Sequence, residues 1–155
     1  MSVDRAAIGD LYAEYGALLD AGDYDAWVGL FAATSSYYVV PRENEVQGLP
    51  AALVFCDSRA VLEDRIQALR EANKYNIHHD RHLIGLLRIL GEDGGIVTVE
   101  APFAVYQTDQ EGATHLFATG LYRDRLVSEG GRLKIREKRV LLDTFAVPTL
   151  LATPL

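Results

Sequence analysis

A helical pattern gives way to an extended one after the stretch DSRAVLEDRIQALREANKY, residues 57–75, which is followed by RHLI at residues 81–84. The apolar residues of the first segment recur at spacings of about three and four, which predicts a helix with one buried stripe. That stripe comprises Val61, Leu62, Ile66 and Leu69. Asp57 or Ser58 can accept a hydrogen bond from a free amide of the first turn. From about Arg81 onward the period changes to two, which indicates strands.

The residues before this stretch predict two helices and a strand. Apolar side chains at helical spacing mark an amphipathic helix that ends near Gly22. They are Ile8, Leu11, Tyr12, Tyr15, Leu18 and Leu19. Asp23 is the expected N-cap of a second, short helix that continues to Phe31, and the two helices should pack as a pair. Residues 35–40 are rich in tyrosine and β-branched residues, which favours a strand stopped by Pro41.

Three glycine-containing turns divide the rest of the chain into extended runs. They are Glu92–Gly95, Asp109–Gly112 and Glu129–Gly131. Because glycine readily adopts the positive φ that tight hairpins need, about four strands should form an antiparallel meander. Helices followed by antiparallel strands predict an α+β fold with the helices packed on one face of the sheet.

Length and charge limit the possible functions. The chain has 155 residues, which predicts a single domain over residues 1–155. Its formal net charge is -7 and its basic residues are scattered, which argues against nucleic acid as a partner. The sequence contains neither a signal-peptide pattern at its start nor an apolar run near the ~20 residues that span a bilayer. We therefore expect a cytoplasmic protein with no membrane partner.

Cys56 is the single cysteine, so no internal disulfide is possible and a reducing compartment is expected. It lies in the apolar run from Ala51 to Cys56. Two interpretations are open: a buried small apolar residue or a reactive nucleophile.

Several blocks of the sequence resemble one protein family over nearly the whole chain. They are the helix with its Arg81-His82 pair, YYVVPREN at residues 37–44 and RVLLD at residues 139–143. Together they resemble the small, or β, subunit of the aromatic-ring-hydroxylating dioxygenases. Further blocks are similar to the terephthalate dioxygenase and salicylate 5-hydroxylase branch. These are GLPAA at residues 48–52, REAN at residues 70–73 with Tyr75, and the final Pro154-Leu155.

The resemblance implies a fold and a role. The fold is the cone of nuclear transport factor 2-like and cystatin-like proteins, built from a curved antiparallel sheet. The role is that of a noncatalytic β subunit, itself trimeric, that assembles large α subunits as α3β3 for oxidation of aromatic carboxylic acids. A Rieske 2Fe-2S cluster and a mononuclear iron are expected in the partner α subunit. This chain cannot hold the cluster, because a Rieske centre needs two cysteines.

The densest polar cluster is HHDRH at residues 78–82, which we tested as a metal site. If the stretch is extended, His78 and His82 lie roughly 13 Å apart, too far to share a metal. If it is helical, the two imidazoles lie one turn apart and can chelate. The structural alternative is that His82 or Asp80 satisfies buried main chain or a subunit contact.

Arg81 and His82 are the candidate interface residues. A guanidinium that enters a sheet edge can pair with a carboxylate through two hydrogen bonds. Arg81 then either forms an internal ion pair, for example with an acidic residue on the facing helix, or helps His82 to organise the contact with the large subunit. No residue of this chain is assigned to catalysis, cofactor binding or metal binding.

A stand-alone enzyme of the same fold is the main alternative, such as a dehydratase or a ketosteroid-isomerase-like protein. It needs a base and an electrophilic donor in an apolar cavity. The candidates are His82, His115, Asp143 and a tyrosine. A binding module that uses the same cavity is a third possibility.

Two features have competing explanations. Acidic and basic residues alternate in residues 123–125 and 132–139, which predicts a charged ladder on one face of the last hairpin. Cross-strand pairs or an intersubunit ion-pair network both account for it. The apolar tail, residues 148–155, either docks on a neighbouring subunit or folds back over its own core.

Overall fold

The computed structural model describes residues 4–48, 52–72, 78–143 and 154–155. Four helices are present in these ranges: α1 (Arg5–Ala21), α2 (Tyr24–Val28), α3 (Arg42–Val46) and α4 (Arg59–Ala72). The strands are β1 (Phe31–Pro41), β2 (Val54–Cys56), β3 (His79–Ile84), β4 (Arg88–Asp93), β5 (Ile96–Thr108), β6 (Thr114–Glu129) and β7 (Arg132–Leu142). They form one sheet in the order β2-β1-β7-β6-β5-β3, with β4 also paired to β5.

The predicted helix ends agree with the structure except at one position. Gly22 caps α1, and the carboxylate of Asp23 accepts the main-chain N–H of Ala26 at the start of α2. The second helix ends at Val28, however, and Phe31 begins a strand. The extension of the helix to Phe31 was wrong because the main-chain oxygen of Leu30 accepts a hydrogen bond from Ile135 on β7. The chain is therefore already part of the sheet where the helical pattern of the sequence continues.

The meander is confirmed. Strands β4 to β7 pair antiparallel in sequence order, and all three predicted turns join them. At the first turn, Gly94 and Gly95 have φ of 59° and 79°, the left-handed region that favours glycine. The extended pattern from Arg81 proved to be two strands, β3 and β4, separated by residues 85–87.

Three features of the sheet were not predicted. Strand β1 starts at Phe31, earlier than expected, and runs parallel to β7. The short strand β2 pairs with β1 at the edge. Helix α3 lies over the outer face of the sheet, since Glu45 contacts Arg139, which points away from the core. The helices of the α+β fold therefore pack mainly, but not entirely, on one face.

The main core lies between the inner face of the sheet and helices α1, α2 and α4. Its largest members are aromatic: Tyr15, Trp27, Phe31, Tyr37 and Tyr122. From α4, the buried residues are Leu62, Ile66 and Leu69, as predicted. Val61 was wrongly placed in this stripe, because it is 39% exposed. It lies about 100° around the helix from Leu62.

Candidate functional site

The first candidate site is the junction between α1 and β3. His82 lies opposite Val105 of β5, and its imidazole is fully buried. Asp20, near the C-terminal end of α1, accepts a hydrogen bond from the main-chain N–H of His82 at 3.0 Å. The same carboxylate lies 2.7 Å from His82 Nδ1. Asp20 therefore fixes both the strand and the ring orientation of His82, and it favours a proton on Nδ1.

Gly16 of α1 faces this junction, where an added Cβ would make only ordinary van der Waals contacts. A Cβ added there would lie 3.6 Å from His82 Cβ and 3.5 Å from Ile84 Cδ1. The other ring nitrogen of His82, Nε2, is buried and has no hydrogen-bond partner among the described residues. His82 is therefore held between helix and sheet and does not present its ring to solvent.

Arg81 points the other way. Its Nη1 lies 3.5 Å from Asp20 Oδ2, while its side chain is 73% exposed. The predicted internal ion pair with an acidic residue on the facing helix is therefore confirmed. An ion pair this exposed contributes little to stability, about 0–1 kcal/mol. Most of the guanidinium remains available to a partner.

A groove of about 500 Å³ runs beside Arg81, between α1 and the segment that follows β3. Its floor includes the small residues Gly9 and Ala13 of α1. Arg5 lines it as well and donates from Nη2 to the main-chain oxygen of Leu87 at 2.6 Å. Leu86 also lines the groove and is 88% exposed. The groove therefore combines apolar surface with two guanidinium groups.

The metal-site hypothesis required a helical turn at residues 78–82. The structure has a strand at His79–Ile84, so the helical alternative was wrong and the histidines do not lie one turn apart. His78 Nε2 instead lies 3.3 Å from Asp80 Oδ1. Across the ranges that the structure describes, no cluster of three or more His, Cys, Asp or Glu residues could hold a metal ion.

The second candidate site is the interior of the cone, where two charges are buried. Lys138 Nζ lies 2.8 Å from Asp124 Oδ2, and neither side chain is exposed. The hydroxyl of Tyr12 donates to the same carboxylate oxygen. The ammonium also lies over the rings of Tyr122, Tyr15 and Tyr12, at 3.5, 4.0 and 4.9 Å from their centroids. This ion pair and its three rings occupy the centre of the molecule.

Burial is the main cause of the pKa shifts in this cluster. It raises the pKa of Asp124, against the opposing effect of Lys138. It also lowers the pKa of Lys138, which Asp124 opposes. Burial raises the pKa of Tyr12, Tyr15 and Tyr122 well above the ordinary value of a phenol. The tyrosines are therefore neutral hydrogen-bond donors and not bases.

The alternating charges of the last hairpin were only partly understood from sequence. Arg125 and Glu137 lie opposite each other, as cross-strand pairing predicts. Asp124 and Lys138 were assigned to the same ladder but point into the core. The missed signal is the position of Asp124, two residues from Tyr122 and two from Leu126. At this spacing the three side chains share one face of β6, and both neighbours are fully buried. A charged side chain at an inward position of a strand predicts a buried pair.

On the outer face, two like charges lie opposite each other, Arg123 and Arg139. Glu45 of α3 bridges them, with oxygens 3.8 Å from Arg123 Nη1 and 2.7 Å from Arg139 Nη2. Glu100 lies 2.7 Å from Arg123 Nε. The ladder therefore extends beyond the last hairpin and includes a helix that sequence reasoning missed.

The candidate catalytic residues of the stand-alone enzyme have different environments. His115 is exposed at the start of β6. Asp143 is exposed and pairs with Arg42, with Oδ1 3.3 Å from Nε. His82 is buried beneath α1. Cys56 is also buried, which raises its thiol pKa and agrees with the interpretation as a small apolar residue.

The end of the tail folds back over its own core. Pro154 and Leu155 are buried, and Leu155 is hydrogen-bonded to Tyr15 and Tyr37. The fold-back alternative is therefore confirmed for these two residues. Residues 148–153 of the predicted tail lie outside the described residues.

Comparison with known proteins decides the family. The model of the family described as ring hydroxylating beta subunit matches residues 16–149. This chain belongs to that family. It is 36% identical to the small subunit of anthranilate 1,2-dioxygenase from Burkholderia cepacia over 137 residues, 88% of this chain and 85% of the relative. It is 34% identical to subunit beta 1 of the terephthalate 1,2-dioxygenase terminal oxygenase component from Comamonas sp., covering 99% of both chains.

A solved structure confirms the fold. The β subunit of an aromatic-ring-hydroxylating dioxygenase from Novosphingobium aromaticivorans superposes with a TM-score of 0.89 at 41% identity, covering 97% of this chain and 96% of that one. The curved sheet with helices on its inner face is the cone expected from the sequence. The two relatives are named as small or beta subunits of dioxygenases, in agreement with the membership of this chain in the β-subunit family. No helix in the described ranges is long and apolar enough to cross a membrane.

Proposed function

We propose that this chain is a noncatalytic β subunit that holds α subunits together as α3β3, itself forming the trimer. The reaction centres, a Rieske 2Fe-2S cluster and a mononuclear iron, are then carried by the α subunits. The observation that supports this most is the cone interior, where the buried pair Asp124–Lys138 and residue Leu155 occupy the space that a stand-alone enzyme would use.

The proposed substrate class is an aromatic carboxylic acid. Two relatives, 36% and 34% identical to this chain, are named for anthranilate and terephthalate, which are both aromatic carboxylates. The pocket that chooses the acid belongs to the α subunit in this proposal. The β subunit contributes by holding α subunits next to each other. This raises the effective concentration of the redox centre of one α subunit at its neighbour.

We place a contact with the α subunit at Arg81 and the groove beside it. The exposed guanidinium of Arg81 can pair with a partner carboxylate, while Leu86 supplies apolar area next to it. His82 acts as a positioning residue, because Asp20 holds its main chain and its ring. The register of β3, and hence the direction of Arg81, depends on that anchor.

The test compares Arg81→Ala with Arg132→Ala, which removes an exposed arginine at the start of β7. Each variant is co-expressed with the α subunit, and assembly is measured by sedimentation alongside the melting temperature of the isolated chain. Arg81→Ala should weaken assembly at least tenfold and leave the melting temperature within about two degrees of wild type, since an exposed pair adds little stability. Arg132→Ala should change neither. A variant that melts early but assembles normally would contradict this contact.

The noncatalytic role has its own test. His115→Ala and Asp143→Ala, studied in the reconstituted complex, should each retain turnover within about twofold of wild type, because neither group contacts substrate in this proposal. A loss of turnover of a hundredfold or more with assembly intact would show that this chain takes part in the chemistry.

A further inference from the structure

The residues Pro154 and Leu155 are bound inside the molecule as a ligand would be. The main-chain oxygen of Leu155 accepts a hydrogen bond from the Tyr15 hydroxyl at 2.6 Å. Its main-chain N–H donates to the Tyr37 hydroxyl at 3.0 Å, and that hydroxyl lies 3.3 Å from the Leu155 oxygen. The Leu155 side chain is 1% exposed and belongs to the core. The N–H and one carboxylate oxygen of Leu155, the last residue of the 155-residue chain, are thus bonded to buried side chains.

The two tyrosines come from different elements and are fixed by a third aromatic residue. Tyr15 lies on α1 and Tyr37 on β1, and each ring meets Trp27 edge-on, at centroid distances of 5.8 and 5.6 Å. Burial raises the pKa of both phenols, so each keeps its proton and can donate. A rigid aromatic wall with two fixed hydroxyls is a preformed receptor for the N–H and carboxylate oxygen of a chain-terminal residue.

The receptor is connected to the buried ion pair. The Tyr15 ring that donates to Leu155 also lies under the ammonium of Lys138, whose Nζ is 4.0 Å from the ring centroid. Removing the segment would leave the Tyr15 hydroxyl without this partner next to a buried charge. Occupancy of the receptor therefore affects the stability of the whole interior.

We propose that the cone interior is a binding site for a short apolar peptide segment of the Pro-Leu type, and that Pro154-Leu155 of the same chain is its resident ligand. The two hydroxyls recognise the main-chain N–H and a carboxylate oxygen of the last residue, and the apolar wall recognises its branched side chain. The bound segment closes the interior, and its release opens a pocket for a small ligand of the same chemistry. This inference does not depend on the proposed role in assembly.

The test uses a chain that ends at Thr153 and the peptide acetyl-Pro-Leu with a free carboxylate, as Leu155 has in the 155-residue chain. Trp27 is the chain's single tryptophan and contacts both receptor tyrosines, so its fluorescence reports occupancy. The shortened chain should melt at a lower temperature and emit at longer wavelength, and the peptide should reverse both changes with saturation. Acetyl-Pro-Gly, which has the same free carboxylate but lacks the side chain, should bind at least tenfold more weakly, because burial of a leucine side chain supplies much of the affinity.

Substitutions in the shortened chain identify the site. Tyr37→Phe should weaken binding of the peptide at least fivefold, because the Leu155-type N–H loses its acceptor. Tyr106→Phe, which removes a phenol on the opposite face of the sheet, should leave binding unchanged. Equal binding by both variants would overturn the proposal.

The full-length chain provides a second test if the shortened one does not fold. Leu155→Gly keeps the main chain but empties the side-chain pocket. The peptide should shift the Trp27 emission of this variant and should not shift that of the wild-type chain, whose site is already filled. Identical responses of the two proteins would overturn the proposal, as would a shortened chain that melts and fluoresces like wild type.

Discussion

Asp124 on β6 and Lys138 on β7 lie directly opposite each other and form an ion pair of 2.8 Å from which solvent is excluded. Taking two charges out of water is costly, and the pair is tolerable only because further groups satisfy it. Tyr12 donates to the carboxylate, and three tyrosine rings surround the ammonium. The pair therefore adds little net stability. Its main role is to fix the position of the last hairpin relative to α1, which contributes Tyr12.

Replacing one partner of the pair should be severe. Asp124→Asn leaves a buried ammonium without its counter-charge and should lower the free energy of unfolding by about 3–5 kcal/mol, measured by urea denaturation. Combining Asp124→Leu with Lys138→Met removes both charges and should cost less than the single change. Arg125→Gln, on the exposed face, should stay within about 0.5 kcal/mol of wild type. A single variant as stable as wild type would refute this view of the core.

The same variant should show a characteristic pH dependence. Burial already lowers the pKa of Lys138, and loss of Asp124 lowers it further because that carboxylate favours the charged form. Between the lowered pKa and the ordinary one near 10.4, the unfolded chain binds more protons than the folded chain, so stability rises with pH. The stability deficit of Asp124→Asn should therefore shrink as the pH is raised from neutral towards the ordinary pKa of lysine. A constant or growing deficit in urea titrations would contradict this.

Gly120 should tolerate no side chain. A Cβ there would overlap the main-chain oxygen of Leu141 and lie 2.9 Å from Phe103 Cε1. Gly120→Ala should destabilise the isolated chain by about 3 kcal/mol or more, because the main chain of β7 must move. Gly9→Ala is the matched control: nothing lies within 4 Å of the added group, and helix propensity predicts a gain of about 0.5–1 kcal/mol. Thermal unfolding of both variants checks the contrast, and equal effects would show that the packing is wrong.

Cys56 should be unreactive in the folded protein. Its thiol is buried and burial raises its pKa, so the nucleophilic thiolate is scarce at neutral pH. Modification by an aromatic disulfide reagent should be at least a hundredfold slower for the native chain than for the chain in denaturant. Comparable rates would place the thiol at the surface and reopen its role as a nucleophile.

Local signals in the sequence predicted the parts of the fold that form locally. The cap at Asp23, the end of α1 near Gly22 and the hairpin glycines each act over a few residues, and the structure has all of them. The parallel pairing of β1 with β7 joins segments about a hundred residues apart. No spacing in the sequence reports such a contact, because periodicity shows which face of a strand is buried and not its neighbour.

The sequence predicted one contact of the candidate site, the ion pair of Arg81, but not the buried pair of Asp124 and Lys138. The internal partner of Arg81 was expected on the facing helix and proved to be Asp20. The buried charges of Asp124 and Lys138 were assigned to the surface, since charged residues in strands usually lie there. The family itself came from short blocks of sequence, whereas periodicity alone indicated only an α+β domain.

Purification of this chain from its native cells, grown on an aromatic acid, tests the central claim most directly. The account predicts that it copurifies in equal proportion with a larger chain, that the complex is brown and contains iron, and that the iron stays with the larger chain when the two are separated. A colourless protein without a partner that turns over a substrate by itself would contradict the assignment as a noncatalytic β subunit.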